Sequence, residues 1–71
     1  MHATHYQDWP NTTWNFSNPT RTDRAYLMIT DEDGNTLNPT KTKVTRHNIS
    51  LTFATESCGQ VLVTDCMDEG I

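Results

Sequence analysis

The sequence predicts a mainly β fold: a small antiparallel meander of about five short strands, forming a half-open barrel or minimal sandwich, with an irregular N-terminal segment. Three observations point there. Threonine occurs 13 times in 71 residues and alanine three times, and β-branched side chains fit a pleated surface better than a helix. Beyond residue 22 the apolar residues fall into short runs or alternate with polar ones. Between these runs lie Asp-Gly, Asn-Pro and Cys-Gly pairs, the residue types that turn a chain.

Residues 1–22 are polar, carry Pro10 and Pro19, and still hold four of the six aromatics: Tyr6, Trp9, Trp14 and Phe16. No single period links these four, so the segment reads as extended or looped and distinct from a β domain over 23–71. Its aromatics set it apart from ordinary disordered chain. The first strand is expected over 24–30, where the run Ala25-Tyr26-Leu27-Met28-Ile29 implies cover on both faces. Asp31-Glu32-Asp33-Gly34-Asn35 closes it with a hairpin turn. A short return strand around 36–37 is stopped by Asn38-Pro39.

The third strand, 41–46, alternates weakly and carries Lys41 and Lys43, a common device for blunting a sheet edge. The fourth, 49–53, has clean period two, with Ile49, Leu51 and Phe53 inward. Glu56-Ser57-Cys58-Gly59 is expected to turn the chain into a fifth strand, 60–64, and residues 65–71 to fray. The pentapeptide Asn18-Pro19-Thr20-Arg21-Thr22 is echoed as Asn38-Pro39-Thr40-Lys41-Thr42, which reads as two equivalent corners feeding neighbouring strands and moves the expected start of the first strand back toward Arg21. The expected core is Tyr26, Met28, Ile29, Leu37, Val44, Ile49, Leu51, Phe53, Val61 and Val63. It is thin for a chain of a size that buries only about 60% of its unfolded surface. Leu27 and Leu62 point away from these neighbours and need cover, for which the aromatic segment is the nearest candidate.

Composition narrows the function. No apolar run approaches the ~20 residues of a membrane helix, and the first eight residues lack the basic and apolar regions of a secretory signal. A cytoplasmic setting is therefore expected, with a virion as the other possibility, and Cys58 and Cys66 are expected as reduced thiols. The three Asn-X-Ser/Thr sequons then have no access to glycosylation. A net charge of −4 disfavours non-specific nucleic-acid binding. All five basic residues lie between Arg21 and Arg46, and such separation can orient a partner.

Possible chemistry is sparse. His2, His5, Cys58 and Cys66 lack the close cysteine spacing of a structural zinc site. The Asp31–Asn35 turn holds only the first fragment of a calcium loop. Cys58 with His47 lacks any visible orienting acid or oxyanion donors. No catalytic residue, cofactor or metal is expected.

What remains is the aromatic segment. Tryptophan and tyrosine concentrate at the centres of interfaces, and a thin core is completed if the chain binds another protein. The expectation is a non-enzymatic interaction module that binds through Tyr6, Trp9, Trp14 and Phe16. Fitting forms are a compact inhibitor or adaptor such as the accessory proteins phages direct at host machinery, or a subunit of a larger assembly. Trp9 and Trp14 can equally cap their own sheet, one tryptophan for each task. The alternative is a small barrel that binds single-stranded nucleic acid through Lys41, Lys43 and aromatics.

Overall fold

The computed structural model describes residues 2–65, with side chains from Thr4. Among the described residues it is an unclosed antiparallel sheet of four strands with no helix: β1 (His2–Ser17), β2 (Ala25–Asp31), β3 (Lys41–Val44) and β4 (Asn48–Asp65). β4 is central. β1 runs along one of its edges, while β2 and β3 share the other edge end to end. This is no meander, because the last strand lies in the middle and three elements pair with it.

The N-terminal segment expected to be irregular is a 16-residue strand. Its aromatics hid this because the pairing slips twice, between Gln7 and Asn11 and again before Thr13. Tyr6 faces Gln60, whereas Trp14 faces Leu51. The net slip is odd, so even-numbered side chains that point outward before the irregularity point inward after it. Pro10, which has no amide hydrogen to donate, lies within the slipped stretch.

The fourth and fifth strands expected over 49–53 and 60–64 are one strand, β4, and Glu56–Gly59 continues it where a turn was expected. The slip leaves extra residues of β4 unpaired with β1 between Thr52 and Ser57, and both long strands bend there. The two halves of the sheet then face each other. His5 from one half of β1 stacks on Phe16 from the other, with ring centroids 4.2 Å apart and planes 6° from parallel.

The core fills the space between the halves: Trp14, Ile29, Ile49, Leu51, Phe53, Val61 and Val63. Trp14 is fully buried and packs on Phe53 at 4.6 Å between centroids. Its indole Nε1–H donates to the carbonyls of Asn11 and Ser57, each at 3.2 Å, so one buried ring ties the bend of β1 to that of β4. Gly59 is required by close approach, since a Cβ there would strike the Thr30 carbonyl and come within 2.8 Å of Asp31 Cα.

In β2 the inward residues are Ala25, Leu27 and Ile29. Tyr26 and Met28, expected in the core, are 59% and 61% exposed. A continuous apolar run carries no phase of its own, and the pairing of Ile29 with Val61 sets it here. The expected return strand at 36–37 is reduced to one bridge, Thr30 to Thr36, although the Leu37 amide still donates to the Ile29 carbonyl. The Asp31–Asn35 turn forms as expected, with Gly34 at φ 89°.

The two Asn-Pro-Thr corners precede β2 and β3, which adjoin the same edge of β4 without pairing to each other. They are not equivalent. Asn18 is 4% exposed and fully engaged: its amide donates to the carbonyls of Thr22 and Thr45 (2.8 Å each), and its Oδ1 accepts from the amide and hydroxyl of Thr20. Asn38 is exposed. Of the stretch 65–71 expected to fray, Asp65 instead ends β4, paired with Ala25; the rest of it and the redox state of Cys66 lie outside the described residues.

Candidate functional site

Residues directly opposite in paired strands share a face, so the register reads out the surfaces. On the half built from β1, β4 and β2, the outer face carries two complete rows of described side chains: Tyr6–Gln60–Thr30 and Thr4–Leu62–Met28. Tyr26 lies beside Thr64 in the next row. Tyr6 (66% exposed), Tyr26, Met28 and half-buried Leu62 thus occupy one face across three neighbouring strands. Trp9, 63% exposed, follows at the bend. These account for every large hydrophobic side chain left strongly exposed among the described residues.

The four expected contact residues therefore divide. Trp14 is a fully buried core residue and is not available to a partner, while Phe16 is half-buried, packed against the core and stacked on His5. Tyr6 and Trp9 remain on the surface. Met28, Tyr26 and Leu62 join them, and the sequence assigned the first two to the core. Leu62 gave the available signal, since it alternates out of phase with Val61 and Val63 and requires something on its far side.

Beside the Tyr6–Gln60–Thr30 row a cleft of about 420 Å³ opens, lined by Asp8, Asp31 and Glu32 together with Cys58 and Gly59. The carboxylate Oδ1 of Asp31 accepts the amides of Asp33 and Asn35 at 2.9 Å each. The bond from the Asn35 amide is the main reason its carboxyl sits below the usual carboxylate range. These bonds organise a turn and commit Asp31 to its own backbone. The Cys58 thiol hydrogen-bonds the Glu32 carboxylate, which together with desolvation and the charges of Glu32 and Asp8 pushes the thiol above its ordinary range. A thiol held protonated is a poor nucleophile. His47, its conceivable base, lines a different cleft with Arg21 and Arg46.

The remaining candidates are not assembled either. His5 is engaged with Phe16, and no three His, Cys, Asp or Glu side chains gather as a metal site among the described residues. Lys41 and Lys43 lie opposite Thr52 and Ser50, which face Thr13 and Asn15 of β1. That face offers hydroxyls and amides, while Trp14 and Phe16 point to its other side, so no aromatic stacking platform joins the lysines. No helix long and apolar enough to cross a membrane occurs among the described residues. Comparison with family models, with curated proteins and with solved structures finds no match.

Proposed function

We propose that this chain is a non-enzymatic protein-binding module whose docking surface is the outer face of β1, β4 and β2, centred on Tyr6, Met28, Leu62 and Tyr26, with Trp9 at its margin. The observation that supports this most is the register: three separate strands contribute large apolar side chains to one uncovered face. Aromatic side chains bury about 150–250 Å² each, so the exposed parts of Tyr6, Trp9, Tyr26 and Met28 amount to about 400 Å². That is roughly half of one partner's share of a standard interface. The face is sized to be the apolar centre of a contact, with a polar rim supplying the rest. An inhibitor, an adaptor and an assembly subunit all use such a surface.

The test is affinity capture from the source cell, comparing the wild-type chain with Met28→Asp, Tyr6→Ser and a Lys41→Glu/Lys43→Glu double variant. A stoichiometric partner that is retained by the wild type and the lysine variant but lost with both face variants supports the proposal. Capture that survives Met28→Asp and Tyr6→Ser but fails in the lysine variant overturns it.

A further inference from the structure

We infer that the occupant of this face is a cationic–apolar protein segment: an arginine or lysine enters the cleft between Asp8 and Glu32, and apolar groups follow it across Leu62, Met28 and Tyr26. The inference rests on the proposed docking face and adds its partner's chemistry. Three observations carry it. The cleft and the face are continuous, because Tyr6, Gln60 and Thr30 line the first and form a row of the second. The cleft wall holds three carboxylates and none of the chain's five Lys or Arg residues. Asp31 spends its carboxylate on the amides of its turn, whereas Glu32 accepts only the neutral Cys58 thiol and keeps acceptor sites that, with Asp8, can meet an incoming cation.

The charge distribution agrees. Arg21, Arg46 and His47 line a separate cleft near the β3–β4 turn, and no Lys or Arg side chain lines the acidic one. Glu32 and Asp8 both act on the Cys58 thiol, and all three side chains line the same cleft. Tyr6 adds an exposed ring at the rim, where a cation gains from the aromatic face. Spacing sets the rest. Rows on one face are two residues apart, about 7 Å, so Met28 and Tyr26 lie about 7 and 14 Å from the Tyr6 row. An extended segment matches this with a cation at one position and apolar residues two and four positions along.

The probe is the peptide acetyl-Arg-Thr-Leu-Thr-Leu-amide, with citrulline replacing arginine in the control, titrated into ¹⁵N-labelled full-length protein. The expected result is saturable shifts confined to residues 4–8, 26–32 and 58–62, with the citrulline peptide at least tenfold weaker. Asp8→Asn plus Glu32→Gln should bring the arginine peptide down to the citrulline level. Equal binding of the two peptides overturns the cationic assignment while leaving the apolar docking face intact. Absence of binding, or shifts centred on Arg21, Arg46 and His47, overturns the inference outright. Concentration-dependent shifts of the free protein at both clefts would mean that a second copy is the occupant, and also overturn it.

Discussion

Asn18 is the most consequential polar residue in the fold, and Asn38 supplies its internal control. Both begin an Asn-Pro-Thr sequence, yet only Asn18 is buried with all its hydrogen-bonding capacity used. Three of its bonds hold the corner before β2, and one crosses to Thr45 at the β3–β4 turn. Each net hydrogen bond contributes about 0.5–1.5 kcal/mol, and a stranded buried group costs more. With part of the loss made good by water at this half-open corner, Asn18→Ala is expected to cost about 2–4 kcal/mol. For a chain of this size that lowers Tm by about 10–25 °C. Asn38→Ala should fall within about 0.5 kcal/mol of wild type, as exposed substitutions do. The assay is urea unfolding followed by the fluorescence of Trp14 in a Trp9→Phe background. Asn18→Asp sharpens the test: it keeps the acceptor but turns the two donors into a carboxylate oxygen facing two carbonyls. It should be worse than alanine at neutral pH and recover on acidification, when the carboxyl can donate again. If Asn18→Ala and Asn38→Ala are equally mild, the corner is not what fixes β2.

The remaining expectations follow from single contacts. Trp14→Ala removes the ring that joins the two bends and should cost about 3–5 kcal/mol, against about 0.5 or less for Trp9→Ala; chemical denaturation separates the two. Gly59→Ala drives a methyl into the Thr30 carbonyl and should destabilise by on the order of 3 kcal/mol, with loss of amide-exchange protection along β2. Arg21, at φ 58°, holds a left-handed conformation that glycine adopts freely, so Arg21→Gly should gain about 0.5–1 kcal/mol in the same denaturation assay. Glu32→Gln removes the charge that raises the Cys58 pKa and replaces the carboxylate acceptor with a neutral amide; alkylation of Cys58 at mildly alkaline pH, in a Cys66→Ser background, should therefore quicken. Asp31, whose pKa is lowered on folding, contributes stability that is present above its unfolded pKa and lost as pH falls through the folded one. Asp31→Asn should flatten that acid limb of the stability curve.

β2 and β3 were largely legible, because turn residues bracket them: expected at 24–30 and 41–46, they form at Ala25–Asp31 and Lys41–Val44, although the Asn-Pro-Thr echo draws the start of β2 back toward Arg21, which the structure leaves in the corner. The inward set of β4 was legible too, since Ile49, Leu51, Phe53, Val61 and Val63 all share one parity. β1 was not, because a periodicity argument assumes constant phase and its phase reverses between Gln7 and Thr13. Gly59 misled for a related reason. In sequence a glycine beside a cysteine reads as a turn, whereas here its missing side chain admits a neighbouring strand. The docking face escaped because an unbroken apolar run, Ala25 to Ile29, leaves its phase to tertiary pairing.

The same phase reversal that obscured β1 also determines what the aromatics can do. Had the strand kept one register, Tyr6, Trp14 and Phe16 would share a face, and burying one would commit all three. The odd slip separates them: Trp14 and Phe16 enter the core, while Tyr6 is held outward by its pairing with Gln60. Tyr6 cannot relax inward without sliding β1 by one residue, which would turn the inward side chains of β1 in that half, His5 among them, outward. The outer face therefore stays uncovered as a consequence of pairing that the core enforces. This makes stability and binding separable. Substitutions at Tyr6 or Met28 should leave unfolding within about 0.5 kcal/mol of wild type while altering recognition, and a parallel loss of stability at these positions would contradict the division between core and docking face.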